Sequence, residues 1–81
     1  MQLSVRLYAR ARDLAGSETI SVEVSDNARV ADLRSALESQ HPELGPIVSH
    51  LLVAVGTDYA DETTQLNTAD DISCFPPVSG G

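Results

Sequence analysis

Two stretches of the chain alternate apolar and polar residues, and one later stretch changes period. In the first, Leu3, Val5 and Leu7 fall on one side and Ser4, Arg6 and Tyr8 on the other; in the second, Ile20, Val22 and Val24 repeat the pattern. Side chains of a strand point alternately to its two faces, so alternation marks a strand with one buried face. Between the two lies the polar stretch Ala9–Glu18, which reads as a long hairpin loop around Gly16. From Arg29 to Gln40 the spacing turns helical: Val30, Leu33 and Leu37 line up, with Asp32, Arg34, Ser35 and Glu38 on the outer side. His41-Pro42 closes that helix, because proline disfavours helical backbone in the residue before it. Glu43–His50 then reads as an irregular connection, Leu51–Val55 as a third strand and Thr63–Leu66 as a weak fourth. Ile72–Phe75 reads as the last strand, since Pro76-Pro77 cannot continue a ladder of hydrogen bonds.

A single helix cannot cover both faces of a sheet. The pattern therefore predicts an α+β domain of the ubiquitin-like β-grasp type, a mixed sheet with one main helix packed on one face. Residues 1–75 form the domain and residues 76–81 an extended, flexible C-terminal tail. Hydrophobic residues make up 42% of the chain, ordinary for a folded protein and too many for a disordered one. The longest apolar run, Leu51–Val55, falls far short of the roughly 18 residues of a membrane span, and the first residues lack the apolar core of a signal peptide. The one cysteine, Cys74, cannot form an internal disulfide, which fits a reducing cytoplasm, the expected location. With five arginines, no lysine and twelve acidic residues, the net charge is −7. Such a surface repels phosphate backbones and anionic lipids, so neither nucleic acid nor membrane is expected as a partner; a basic protein fits better.

Catalytic signals are missing. Gly45, Gly56 and the final glycine pair lack the spacing of a phosphate loop, and His41, His50 and Cys74 lack that of a zinc site, so no metal is expected. Asp61-Glu62 and Asp70-Asp71 read as solvated turn residues, and Cys74 shares the core face with Ile72. Phe75 has the opposite phase and becomes the candidate partner contact.

Attention then falls on Pro76-Pro77-Val78-Ser79-Gly80-Gly81. The prolines fix φ and project the segment away from the sheet; Gly80 and Gly81 have no Cβ and can thread a channel too narrow for other residues. A terminal carboxylate is inert toward nucleophiles until activated, for example as an acyl-adenylate. Nothing in the chain could bind ATP, so another protein must activate it. The expectation is a carrier whose reactive group is its own C-terminus.

In Leu7–Gly16, Arg29–Leu37, Leu51–Val55 and above all Asp70–Gly81, the chain resembles the small, sulfur-carrying subunits of molybdopterin synthases, members of the β-grasp superfamily. That resemblance implies that an E1-like enzyme uses ATP to form a glycyl adenylate at Gly81, which a sulfur donor converts to a 1-thioglycine, the thiocarboxylate. The tail, Pro76 through Gly80 included, would then enter a pocket of the large synthase subunit in an assembly of heterotetramer type and pass its sulfur to cyclic pyranopterin monophosphate. The chain would bind no cofactor itself and have no activity alone. A ubiquitin-like protein modifier, or a carrier for thiamine or cysteine synthesis, are the alternative readings. Two positions depart from the family's usual pattern, Gly56 where Asn follows the third strand and Arg29 where Thr precedes the helix. The first is expected to alter the turn, and the second to cost about 1 kcal/mol of capping unless Asn27 takes over.

Overall fold

The computed structural model describes residues 1–77. Strand β1 (Gln2–Leu7) buries Leu3, Val5 and Leu7 and exposes Gln2, Ser4 and Arg6, as the alternation requires. It pairs antiparallel with β2 (Thr19–Glu23), which buries Ile20 and Val22, and the register sets Leu3 opposite Val22 and Val5 opposite Ile20. The connection is not a loop. Helix α1 (Ala9–Ala15) packs Ala11 fully into the core and is closed by Gly16 at φ 74°, whose N–H donates to the Arg12 carbonyl at 2.8 Å. Alanine favours helix and glycine favours this left-handed end, which is why the polar stretch folds.

Helix α2 (Val30–Gln40) buries Val30, Leu33 and Leu37 completely against the sheet. Asn27 does not cap it; its Oδ1 accepts from Gln65 instead. The Arg29 N–H donates to Asp32 Oδ2 at 2.9 Å, while the N–H groups of Val30 and Ala31 donate to the carbonyls of Thr64 and Glu62. The loop across from the helix thus supplies the acceptors that a threonine cap would have contributed, and Arg29 adds its own bond to the Thr63 carbonyl at 2.9 Å. Two residues at the far end of α2 cover the outer edge of β2. Gln40 bonds both the N–H and the carbonyl of Glu23 at 2.8 Å, and His41 Nε2 lies 3.0 Å from the Ser21 carbonyl. An edge strand blunted in this way is a poor template for pairing with another chain.

The expected irregular connection is helical too: a 3₁₀ turn (Pro42–Leu44) leads into α3 (Gly45–Val48), and Leu44 and Val48 complete the core. Strand β3 (Leu52–Val55) turns at Gly56 into β4 (Asp58–Tyr59). Gly56 has φ 63°, a conformation that glycine and asparagine tolerate best, so Gly56 suits a tight return where the family's asparagine would. The fourth strand therefore lies earlier than the sequence suggested, and Thr63–Leu66 contributes only the isolated bridge between Arg29 and Gln65. Strand β5 (Ile72–Phe75) runs parallel to β1 and antiparallel to β3, giving the sheet order β2-β1-β5-β3-β4. The last strand in sequence is thus the central one, and the main helix covers one face of the sheet, the β-grasp arrangement.

Candidate functional site

Of the residues singled out in the sequence, Val78, Ser79, Gly80 and Gly81 lie outside the described residues. Phe75, Pro76 and Pro77 are described, and they stand where the central strand ends. Within β5 the phases separate as expected. Ile72 and Cys74 are in the core, at 1% and 0% exposure, and Phe75 faces the side of the sheet away from α2. Phe75 is half-buried rather than exposed. It stacks on Tyr8 with ring centroids 4.6 Å apart and planes 10° from parallel, and it meets Tyr59 edge-on at 6.5 Å.

These are all three aromatic residues of the chain. They come from the end of β1, from β4 and from β5, elements far apart in sequence that pairing to a common sheet brings together. Tyr59 remains 72% exposed and Leu52, the register partner of Phe75, 42%. With Ala54, Gly56 and Thr57, the rings of Tyr59 and Phe75 line an open groove of about 350 Å³. Arg6 borders the patch, and its guanidinium is held above its ordinary pKa first by the Tyr8 phenol oxygen and then by Asp71.

A second groove, of about 370 Å³, lies on the other side of the same strand end. Ile47, Pro76 and Pro77 form its apolar floor, and Ala9, Arg10 and His50 complete its lining. Ala9, which lines this groove, holds φ at 53°, a left-handed value that an alanine adopts only with strain. No signal in the sequence marked either groove, because the contributing residues are separated by up to about 70 positions.

Among the described residues, no group of three His, Cys, Asp or Glu could hold a metal ion, and no helix is long and apolar enough to cross a membrane. Burial pushes the Cys74 thiol up to about 12, with Arg34 opposing weakly, so it stays a protonated core residue at neutral pH. What the described domain offers is a strand end flanked by two grooves, with its backbone fixed by hydrogen-bonded neighbours on both sides.

The model of the ThiS family matches residues 5–81. The chain is 29% identical over 83 residues to a molybdopterin synthase sulfur carrier subunit of Chlamydomonas reinhardtii, with 100% of both chains covered. It is 33% identical to small archaeal modifier protein 1 of Haloferax volcanii, covering 94% of this chain and 97% of that one. A crystal structure of SAMP1 from the same organism superposes over 100% of both chains with a TM-score of 0.83 at 30% identity. A complex of subunits 1 and 2 of the molybdopterin-converting factor from Helicobacter pylori contains the same fold, at a TM-score of 0.68 and 24% identity with 100% of both chains covered.

Proposed function

The chain belongs to the ThiS family, and on that premise we propose that it is the sulfur-carrier subunit of a molybdopterin synthase, working in the cytoplasm. The observation that carries this reading is the end-to-end match to a molybdopterin synthase sulfur carrier subunit, with no part of either chain left over. The fold supports it. A tail that delivers a reactive atom has to start from a fixed point, and Pro76 follows the central strand rather than an edge.

In this reading residues 1–75 are the docking domain and 76–81 the carrier tail. An E1-like enzyme binds ATP and adenylates the Gly81 carboxylate with loss of pyrophosphate. Sulfur from a donor then attacks the acyl carbon and AMP leaves, which gives the thiocarboxylate. Within the large synthase subunit the thiocarboxylate sulfur, the better nucleophile, adds to cyclic pyranopterin monophosphate, and water then cleaves the acyl–sulfur bond, leaving the sulfur on the pterin and the carboxylate back at Gly81. Val78, Ser79 and Gly80 pass through the partner's channel, Gly80 because it carries no side chain. The acidic surface complements a large subunit with basic groups for the substrate phosphate, and Phe75 with its aromatic neighbours is the contact face.

The test is mass spectrometry after incubation with the activating enzyme, ATP and a sulfur donor. The wild-type C-terminal peptide gains the mass difference between sulfur and oxygen. Deleting Gly81 withdraws the carboxyl by about 3.3–3.6 Å, and since a 1 Å misplacement can cost about 100-fold, transfer is abolished. Thiocarboxylation and dithiolene formation by the deleted chain at the wild-type rate would overturn the assignment. The 33% identity to a small archaeal modifier protein favours a second reading, conjugation of Gly81 to lysines of other proteins. A ladder of conjugates in cells, with no large subunit co-purifying, supports that reading over the first.

A further inference from the structure

Three of the five arginines have a hydrogen bond or an ion pair among the described residues. Arg34 donates to both carboxylate oxygens of Glu62 at 2.9 Å and to the Val48 carbonyl at 2.8 Å. Arg29 donates to the Thr63 carbonyl, and Arg12 lies 3.9 Å from Asp13. Arg10, like Arg6, has neither an ion pair nor a hydrogen bond among the described residues, in a chain with twelve carboxylates to choose from, but only Arg10 lines a groove. It lines the groove whose floor is Ile47, Pro76 and Pro77, and His50 lines that groove with it. Neither side chain has a hydrogen bond or ion pair among the described residues. Ala9, the residue before Arg10, is held in a left-handed conformation that costs roughly 1–2 kcal/mol for a residue with a side chain.

An unpaired guanidinium over an apolar floor has a specific complement. Its planar fork accepts a carboxylate through parallel hydrogen bonds, and a floor of proline and isoleucine accepts the methylene groups that carry that carboxylate. An imidazole beside it supplies a further hydrogen-bonding nitrogen. Polyanions such as nucleic acid are repelled by the net charge of −7, whereas one carboxylate on an otherwise basic protein surface is not. The groove also adjoins the strand end from which the tail begins, since Pro76 and Pro77 are part of its wall.

We infer that the Arg10–His50 groove docks an Asp or Glu side chain of the large synthase subunit, presented at the mouth of the channel that receives the tail. The inference rests on the proposed carrier function. The aromatic patch and this groove grip the partner from the two sides of the β5 end, and the carboxylate fixes the angle at which the tail enters. A basic partner surface thus carries one acidic residue at this position, and that residue determines which carriers it admits.

The experiment measures binding of the purified large subunit to the full carrier by calorimetry, at low and at physiological salt. Arg10 is exposed and makes no bond in the domain, so its variants keep the fold, which circular dichroism verifies. Loss of one partner from a hydrogen-bonded charge pair at an interface predicts that Arg10→Gln weakens binding about tenfold and Arg10→Glu about a hundredfold. Arg12→Gln, which removes the same charge two positions along, changes binding less than twofold. Asp→Arg and Glu→Arg substitutions around the large subunit's channel mouth are then screened against Arg10→Glu, and one of them restores at least tenfold of the loss. Arg10→Glu binding within twofold of wild type, or equal losses for Arg10→Gln and Arg12→Gln, overturns the inference and leaves the carrier function standing. Failure of the wild-type chain to bind the large subunit at all overturns both.

Discussion

Replacing Phe75 by alanine separates the two jobs that a half-buried aromatic beside a functional tail can do. Burying a phenylalanine fully is worth roughly 1.5–3 kcal/mol, so half-burial contributes about 1. The near-parallel stack on Tyr8, at 4.6 Å, adds a contribution of about 0.5–1.5 kcal/mol by the usual worth of such pairs. Together these predict that Phe75→Ala destabilises the domain by about 2 kcal/mol, a fall in Tm of roughly 8–16 °C for a chain of this size. The domain still folds at 25 °C, because the core behind the sheet is untouched. Loss of a buried aromatic anchor at an interface costs about 2 kcal/mol or more, so binding to the large subunit weakens about 30-fold or more. Phe75→Leu keeps apolar bulk without the ring, and should recover half of the stability and little of the binding. Thermal melts by circular dichroism and calorimetric titration of the same preparations provide the two numbers. An unfolded Phe75→Ala protein at 25 °C would put the ring in the core. A Kd within threefold of wild type would remove the aromatic patch from the interface.

Three further outcomes test local readings of the structure. Ala9→Gly relieves a left-handed conformation costing roughly 1–2 kcal/mol and loses part of the gain to glycine's backbone entropy, so Tm rises by a few degrees; a fall in Tm contradicts the strain at φ 53°. Cys74, buried and with its thiol pushed up to about 12, should resist maleimide and iodoacetamide at neutral pH in the native state and react only on unfolding; native labelling at the rate of a free thiol contradicts this. Asp61 accepts bonds from the Thr63 hydroxyl at 2.7 Å and the Thr63 N–H at 2.9 Å, and these, the hydroxyl first, lower its pKa. A carboxylate whose folded pKa is lowered stabilises fully above its unfolded value of about 3.9 and loses that contribution as pH falls through the folded value. The Tm gap between wild type and Asp61→Asn should therefore be constant above about pH 5 and close below about pH 4; a gap unchanged down to about pH 2 refutes the assignment.

Where burial follows a period, the fold was legible. The β1–β2 hairpin and α2 place their apolar residues on one face and were readable from spacing, while β3 was readable as a short valine-rich run and β5 from the core-facing pair Ile72 and Cys74 before Pro76-Pro77. Helix α1 was not, because only Ala11 is fully buried and a single buried residue makes no period. Its evidence was propensity and punctuation, alanines at 9, 11 and 15 followed by Gly16. Proline misdirected the reading of Glu43–His50: Pro42 and Pro46 sit in the first turns of the 3₁₀ segment and of α3, where a missing N–H costs nothing. Strand β4 has two residues, both exposed, and so no pattern at all. At the site, the outward phase of Phe75 followed from Ile72 and Cys74. Its company did not, since Tyr8 and Tyr59 arrive through strand pairing over long separations. Arg10 and His50 are 40 positions apart, one on α1 and the other in the turn after α3, and nothing in either neighbourhood announces the other.

Strand β5 brings these parts into one arrangement. It is the last strand in sequence but the middle one in the sheet, hydrogen-bonded to β1 on one side and β3 on the other. Its final residue lines the aromatic groove and the next two line the Arg10–His50 groove. Consecutive residues therefore serve opposite surfaces, and whatever follows Pro77 starts between them. An edge strand could not do this, because it leaves one flank to solvent and its end is free to fray. On the proposed function, a carrier that visits an activating enzyme and then a synthase would present the same residues 76–81 to both, and would have to be held at the same root by each. Two chemically different surfaces at that root, one aromatic and one cationic, allow the partners to share the tail while using the surfaces in different proportion. Selectivity between partners then resides in the residues around the strand end, and the tail itself is free to be chosen for the narrowness of the channel it enters.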